Sequence, residues 1–248
     1  MKKLLAGLAA LLWGTSACAV TLDVVTDDNL PPYSFVQKGG VIGIDVDMLL
    51  SAAKTANVEI RLLALPWKRV LFQVEHGTAH LAMPLFRTPE RETFATFLAP
   101  VHFSATGLFV QKGKEFRFDS VNDLFGKAIG YNRGFALNEQ LDRAIRNGKI
   151  RAEEVSTTEQ NIKKLLASRV DAFVANIVNT QFLLKSTPDA TRVTVLPNYL
   201  AERRPAYLVA AKAPRTPEQE RAIAALSGAL DRLSRDGTYE RIVKKYTE

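Results

Sequence analysis

The sequence predicts an α/β protein of two lobes, each a β-sheet flanked by helices, joined by a hinge of two strands. Short β-rich runs alternate with helical patterns along the chain, which is typical of the α/β class. The alternation comes in two series, separated by the polar spacer 111–114. No low-complexity linker divides the series, so we expect crossing strands as the hinge and a ligand site between the lobes.

The first nineteen residues have the pattern of a secretory signal peptide. Lys2 and Lys3 precede an apolar stretch, Leu4 to Trp13, and small residues close the segment at Ala17-Cys18-Ala19. This order of charged, apolar and small residues is that of a leader with an A-x-A-type cleavage site. We therefore expect a periplasmic mature protein that begins at Val20.

Cys18 is the only cysteine of the chain. It would leave with the leader, so the mature protein is expected to fold without a disulfide and to depend on its core. The alternative is a lipoprotein box at Thr15-Ser16-Ala17-Cys18, with the lipid on Cys18, but Thr15 stands where leucine is usual. We expect cleavage without lipidation.

Composition argues against several classes of function. The net charge falls only from +7 to +5 when Lys2 and Lys3 leave with the leader, and the basic residues are scattered. Nucleic acid is therefore not expected as a partner. After the leader no apolar run reaches the roughly 18 residues that a membrane-spanning helix needs, so we expect a soluble protein whose mild positive field favours small anions.

The first series of elements predicts the first part of lobe 1. Asp45 and Asp47 would lie in the first turn of a helix, where carboxylates complement the helix dipole. Gly77 is placed to end the following helix as a C′ glycine. The expected elements are the strands Thr21–Thr26, Glu59–Ala64 and Leu81–Met83 and the helices Asp45–Ala56 and Trp67–Glu75.

The second series predicts lobe 2 and the return to lobe 1. Gly148 would stop one helix, Thr157 with Gln160 forms a capping-box pattern for the next, and Asp236-Gly237 separates the last two. The expected strands are Ala105–Val110, Ala128–Tyr131, a strand at Val155, Ala172–Ala175 and Ala206–Ala211, and the expected helices are Phe135–Asn147, Thr158–Ser168, Pro217–Arg235 and Thr238–Tyr246.

The quartet Thr88-Pro89-Glu90-Arg91 is the most informative motif. Thr88 suits an N-cap and Pro89 suits the first helical position, so a helix is expected to begin here with amides free to meet an anion. The planar guanidinium of Arg91 matches a carboxylate in a bidentate pair. The alternative is a capped surface helix in which Arg91 pairs with Glu90 or Glu92.

Five motifs follow one another along the chain. They are Pro31-Pro32-Tyr33-Ser34-Phe35, Gly43-Ile44-Asp45-Val46-Asp47-Met48, Thr88-Pro89-Glu90-Arg91, Val170-Asp171-Ala172 and Asp236-Gly237-Thr238-Tyr239 with Lys244-Lys245-Tyr246. In this order they resemble the polar-amino-acid branch of the periplasmic solute-binding proteins, which is bacterial extracellular solute-binding protein family 3. The resemblance spans nearly the whole mature chain and implies a periplasmic-binding-protein type II fold, with lobe 1 at 20–108 and 202–248, lobe 2 at 109–201, and closure on a ligand.

The resemblance also implies roles for residues of lobe 1. Arg91 corresponds to the clamp for a ligand carboxylate, and Trp67 to an aromatic lid that stacks on the ligand. Without the resemblance Trp67 would as readily be a core tryptophan. Tyr33 is expected either in the cleft or in the packing of the lobe, and Asp27 either opposite a ligand cation or as the cap of a turn.

Several positions depart from the family pattern. Asn176 stands where relatives have an aspartate for the ligand ammonium, and an amide provides no counter-charge. Pro84 and Phe86 replace serines, so the site is expected to be less polar. In lobe 2, Phe135 replaces a threonine that binds the ligand carboxylate, while Arg133 either adds a second anion contact or lies exposed on the loop.

These residues predict a monomeric periplasmic protein that captures a small carboxylate-containing solute, an amino acid or a similar molecule. The resemblance implies delivery to the membrane permease of an ABC importer. No cofactor or metal is expected. Two alternatives remain, a ligand-binding module for a membrane sensor and an enzyme like the cyclohexadienyl dehydratases of this architecture. The enzyme would need a general acid in the cleft, for which His102 and Glu202 are candidates outside any motif.

Overall fold

The computed structural model describes residues 20–132 and 138–248. The strands, numbered in chain order, are β1 Thr21–Asp27, β2 Asn29–Leu30, β3 Ser34–Gln37, β4 Gly40–Ile42, β5 Glu59–Leu65, β6 Leu81–Phe86, β7 Ala95–Gln111, β8 Ala128–Asn132, β9 Arg151–Val155, β10 Ala172–Asn176, β11 Val193–Val195 and β12 Ala201–Ala211. The α-helices are α1 Ile44–Ala56, α2 Trp67–Glu75, α3 Pro89–Phe94, α4 Glu139–Arg146, α5 Thr158–Leu166, α6 Ile177–Leu184, α7 Pro217–Leu233 and α8 Thr238–Thr247. Across these two ranges no helix combines the length and apolarity needed to cross a bilayer.

The strands form one large mixed sheet and one small antiparallel sheet. The order in the large sheet is β5-β1-β6-β12-β7-β10-β8-β9, with β11 beside β7, and the small sheet is β2-β3-β4. β1 runs parallel to β5 and β6, and β8 runs parallel to β9 and β10. Between these two parallel groups, β7 and β12 run antiparallel to their neighbours.

Each parallel group has its own buried core on both faces. The faces of the first group are filled by clusters around Leu22 and Met48 and around Val25 and Val70, and those of the second by clusters around Ile129 and Leu141 and around Phe173 and Ile162. We name the first group lobe 1, with α1, α2, α3, α7 and α8, and the second lobe 2, with α4, α5 and α6. The predicted two-lobed α/β fold is confirmed.

β7 and β12 connect the lobes as a pair of crossing strands. The end of β7 pairs with β10 of lobe 2, from Asn176 opposite Thr106 to Ala172 opposite Val110. Its beginning pairs with β12, which pairs in turn with β6 of lobe 1. The expected lobe limits at 108/109 and 201/202 fall within or next to these strands, and the limits themselves stay a prediction.

The last helix closes lobe 1 against the start of α1. The hydroxyl of Tyr246 accepts a hydrogen bond from the Gly43 amide at 3.1 Å and donates to Asp47 Oδ2 at 3.1 Å. Lys245 Nζ donates to the same oxygen at 2.7 Å. A side chain at Gly43 is excluded because its Cβ would lie 2.2 Å from the carbonyl oxygen of Tyr33. Two of the sequence motifs thus meet in space.

Most predicted elements are present, and the differences have physical causes. β7 is 17 residues long rather than the six expected, because its first part is an irregular, partly exposed strand paired with β12. The sheet β2-β3-β4 was not predicted, since its strands have only two to four residues each.

Two predicted helix starts differ in detail. The expected start of α4 at Phe135 lies outside the described residues, and within them the helix begins at Glu139 with Asn138 as its cap. Thr157 accepts from the Gln160 amide as expected, but the Gln160 side chain accepts from the Ser156 amide at 2.9 Å rather than from that of Thr157. The capping box is therefore shifted by one residue on one side.

Candidate functional site

The carboxyl ends of several strands border one cavity between the lobes. β6 ends at Phe86 and β10 ends at Asn176, and Trp67 begins the helix that follows β5. Open α/β sheets bind ligands in crevices outside the carboxyl ends of their strands. The cavity has a volume of about 360 Å³ and is lined by Leu30, Tyr33, Trp67, Pro84, Phe86, Arg91, His102, Ser104, Asn176 and Asn179.

Arg91 enters this cavity from the first turn of α3. The side chain of Thr88 caps the helix by accepting from the Arg91 amide at 3.3 Å, so this amide is not free for an anion. One guanidinium nitrogen of Arg91 donates to the carbonyl oxygen of Phe86 at 3.0 Å. Arg91 forms no ion pair with Glu90 or Glu92 among the described contacts, and Glu92 pairs with Arg87 at 3.3 Å.

Aromatic and apolar side chains surround the guanidinium. The Arg91 Cζ lies 5.5 Å from the centre of the Trp67 ring, within the range of a cation–π contact. Phe86 and the buried Pro84 form the adjoining wall, as expected from the loss of the serines. No acidic residue is among the described residues that line the cavity. Arg91 is thus a fixed cation in a mostly apolar pocket, without a carboxylate partner among the described residues.

Tyr33 and Asn176 meet across the two lobes. The Tyr33 hydroxyl donates to Asn176 Oδ1 at 3.4 Å, and burial raises the pKa of this tyrosine well above its ordinary value. Asn176 also caps α6, because Oδ1 accepts from the Asn179 amide at 2.9 Å, and its Nδ2 donates to Ser104 Oγ on β7 at 2.9 Å. The side chain of Asn176 is therefore held by three protein partners.

A buried histidine and aspartate lie beneath Tyr33. His102 on β7 is 2% exposed and Asp45 on α1 is fully buried. Nδ1 of His102 lies 2.8 Å and 3.0 Å from the two carboxylate oxygens of Asp45. Burial raises the pKa of the Asp45 carboxyl, and the adjacent His102 opposes that rise. The Tyr33 ring stacks on the imidazole with the ring centres 3.8 Å apart.

The structure brings together five of the eight predicted site residues, namely Arg91, Trp67, Tyr33, Phe86 and Asn176. Their contacts with a ligand stay predictions.

Of the other three, Asp27 does not line the cavity, because its side chain caps a turn by accepting from the Asn29 amide at 3.0 Å. Arg133 and Phe135 lie outside the described residues, as does the side chain of Glu202.

Sequence reasoning missed Ser104 and Asn179 and found His102 only as an isolated residue. His102 and Ser104 follow each other at a spacing of two on β7, which is the spacing of side chains on one face of a strand. This spacing is visible in the sequence, but it occurs in every strand and therefore does not identify site residues. Within the described part of the chain, no group of three or more His, Cys, Asp or Glu is placed to hold a metal ion.

Comparison with known proteins identifies the family. The sequence profile of the bacterial extracellular solute-binding proteins, family 3, matches residues 22–248. A relative from Campylobacter jejuni, named "Probable histidine-binding protein", is 25% identical over 230 residues, which are 92% of this chain and 85% of that protein.

Two solved structures have a similar fold. The unliganded open form of the L-cystine solute receptor of Neisseria gonorrhoeae aligns with a TM-score of 0.73 at 19% identity, covering 92% of each chain. The open form of substrate-binding domain 2 of Lactococcus lactis GlnP also gives 0.73, at 17% identity over 92% of this chain and 95% of that one. At these identities the likeness shows the type II binding-protein fold alone. Because the family profile covers nearly all of the described sequence, the chain belongs to the bacterial extracellular solute-binding proteins, family 3.

Proposed function

We propose that the protein captures a small carboxylate-containing solute, an amino acid or a close analogue, in the periplasm and delivers it to the permease of an ABC importer. The lobes close on the solute and the protein acts as a monomer. The names of relatives support an amino acid, since one is called a histidine-binding protein and another an L-cystine receptor. The leader pattern at residues 1–19 supports export.

The proposal rests on one observation, that Arg91 lies in a mostly apolar cavity without a carboxylate partner among the described residues. A cation in a pocket of low polarity is costly unless an anion pairs with it. Arg91 is held by the Phe86 carbonyl and the Trp67 ring, and no described carboxylate lies within ion-pair distance of it. A ligand carboxylate would complete the pair, and the fixed guanidinium would bind it without first losing side-chain freedom.

Closure follows from the position of the cavity between the lobes. Lobe 1 contributes Arg91 and Trp67, and lobe 2 contributes Asn176 and Asn179. A solute in contact with both sides favours the closed arrangement by the difference between its affinities for the closed and open forms. The crossing strands β7 and β12 provide the hinge at the back of the cleft.

The test begins with a thermal-shift screen of amino acids, dicarboxylates and short peptides, followed by calorimetric titration of the ligands found. Arg91→Ala should weaken binding at least about tenfold, since a hydrogen-bonded charge pair is worth about 1.5–3 kcal/mol. The melting temperature of the empty protein should stay nearly unchanged, because the substitution removes no carboxylate pair from the fold.

Arg87→Ala is the matched control. Arg87 lies four residues earlier, pairs with Glu92, and lies over the rings of Phe97 and Tyr207 at 5.0 and 5.3 Å, away from the cavity lining. Its loss should leave the dissociation constant unchanged. Equal affinities for wild type and Arg91→Ala would refute the proposal.

A further inference from the structure

The pair of Asp45 and His102 has no part in the function proposed so far. It lies in the wall of the same cavity, and His102 contributes its ring to the lining. The pair joins α1 to β7 over 57 residues of sequence, with both side chains almost completely removed from solvent. A buried carboxylate needs a partner, and the imidazole provides it.

Asp45 engages one nitrogen of His102 and leaves the other unused. In the tautomer that donates from Nδ1 to the Asp45 carboxylate, Nε2 is the remaining polar atom of the ring and can accept a hydrogen bond. Within residues 20–132 and 138–248, Nε2 has no hydrogen-bond partner. Tyr33 packs on one face of the ring and Phe86 meets it edge-on at 6.3 Å, so the ring cannot turn away freely.

The polar atoms of Asn176, the residue of this wall that stands in place of an aspartate, are already engaged. Asn176 Oδ1 accepts from both the Asn179 amide and the Tyr33 hydroxyl, and its Nδ2 donates to Ser104. Asn176 therefore offers a ligand no unused acceptor. His102 Nε2 is a further polar atom of this wall with no hydrogen-bond partner among the described residues, and the Asp45 carboxyl lies on the opposite nitrogen of the ring.

We propose that His102, oriented by Asp45, accepts a hydrogen bond from the ammonium group of an α-amino-acid ligand whose carboxylate lies on Arg91. The inference rests on the proposed function and names the class of solute more closely. The cavity then has a positive side at Arg91 and a negative side at the pair, which matches a zwitterion. His102 determines specificity for the amino group, and Asp45 positions it.

The first test uses the wild-type protein and four L-amino acids, phenylalanine, glutamine, arginine and histidine. Each is compared by calorimetry with the same acid lacking the amino group, such as 3-phenylpropanoate for phenylalanine, and with the α-hydroxy acid. Loss of the amino group should weaken binding about 10- to 100-fold, the effect of one charged hydrogen bond. Equal affinity for the amino and desamino acids would overturn the proposal, as would tighter binding of the hydroxy acids.

Nitrogen-15 NMR of the imidazoles reports on the contact directly, because the chain has only three histidines. His76 is exposed and stacks on Phe72, and Nδ1 of His80 accepts from the Asp23 amide, so both lie outside the cavity. A saturating amino acid should shift Nε2 of His102 and leave these two histidines unchanged. An unmoved His102 signal in a saturated sample would contradict the contact.

The double variant Asp45→Leu with His102→Phe tests whether the pair binds the amino group of the ligand or only stabilises the fold. Replacing a buried ion pair by apolar residues of similar size is often neutral for stability, whereas removing one partner leaves an unpaired charge. The double variant should keep Arg91-dependent binding of 3-phenylpropanoate and lose its preference for phenylalanine. A preserved preference would refute the role of His102, and if the variant does not fold the NMR experiment decides.

The two proposals fail differently. If neither acid depends on Arg91 for binding, the proposed function fails and this inference fails with it. If both acids bind with equal affinity and both depend on Arg91, only the role of His102 is wrong.

Discussion

At the residue scale, the cleft holds its main cation in place through neighbours rather than through a counter-ion. The carbonyl of Phe86 and the ring of Trp67 define where the Arg91 guanidinium lies. A group that is already ordered loses less conformational freedom on binding, which favours affinity. Trp67 should therefore contribute to binding even where it does not touch the solute.

Trp67→Ala is expected to weaken ligand binding about 2- to 30-fold, since a cation–π contact is worth about 0.5–2 kcal/mol. The physical reason is that the guanidinium gains freedom when the ring is removed. Phe72→Ala is the matched control, because Phe72 lies on the same helix, is 55% exposed and stacks on His76 away from the cavity. Calorimetry on both variants measures the dissociation constant. Equal losses of affinity would show that a general change in α2, rather than the missing Trp67 ring, weakens binding.

The sequence predicted the members of the site unevenly, for reasons visible in single residues. Arg91 was found because its cap and its helix start are local in sequence, within four residues of each other. Asp27 was ambiguous because an aspartate at a strand end suits both a turn and a ligand, and the structure shows the turn. The pairing of His102 was not predictable, since its partner Asp45 is 57 residues away.

At the element scale, α8 is the helix that joins the chain's last residues to the hinge. The Tyr239 hydroxyl accepts from the Phe103 amide on β7 at 3.1 Å, one turn and more before the contacts of Lys245 and Tyr246 with α1. Burial raises the pKa of Tyr239 to about 12. The pKa values of Lys245 and Tyr246 are also raised, mainly by the hydrogen bond to Asp47 and by burial respectively.

Tyr239 should make the protein sensitive to alkali. A tyrosine that binds its proton more tightly when folded stabilises the fold fully below its ordinary pKa of about 10, and this stabilisation falls as the pH rises towards 12. Between about pH 8 and about pH 11 the wild type should lose about 1 kcal/mol of unfolding free energy through this group. Urea denaturation of wild type and Tyr239→Phe at both pH values measures the loss.

The Tyr239→Phe variant should have a lower free energy of unfolding than the wild type at about pH 8, and it should lose less of that free energy as the pH rises. At about pH 8, Tyr239→Phe leaves the Phe103 amide without its acceptor, which costs about 1–3 kcal/mol. At about pH 11 the difference in unfolding free energy between the variant and the wild type should be smaller by about 1 kcal/mol. An unchanged difference would mean that Tyr239 does not govern the alkaline transition.

The elements themselves were predictable to different degrees. α2 has the predicted bounds because its apolar face and its terminating glycine are local signals. β7 was predicted only over its end, from Ala105 to Val110, where all residues except Thr106 are buried. Its first part combines exposed and buried residues against β12, a pairing that depends on a strand about a hundred residues later.

At the scale of the whole molecule, the central expectation is movement of the lobes about β7 and β12. Because Cys18 is the only cysteine, a protein produced from Val20 onward can be labelled at two introduced cysteines without background. Lys68→Cys on α2 and Lys163→Cys on α5 place exposed labels on opposite lobes. Energy transfer between dyes at these sites should rise when a ligand from the screen is added, because the lobes approach each other.

A pair within one lobe controls for effects of the ligand on the dyes. Lys68→Cys with Arg221→Cys on α7 places both labels in lobe 1, where no change of distance is expected. Constant transfer for the Lys68–Lys163 pair at saturating ligand would rule out closure on binding. A rise for both pairs would point instead to a change in the dyes themselves.

The contact between Tyr246 and Gly43 has a consequence for how the chain matures. The entrance of α1 comes early and α8 comes last among the described elements, so the hydrogen bonds at Gly43 and Asp47 form only when this last helix is present. The core residues of lobe 2 lie between these points and are complete earlier. A polypeptide that ends a dozen residues too soon would lack α8. It would contain the complete sequence of lobe 2, while the core of lobe 1 that α8 covers would be exposed to proteases and chaperones.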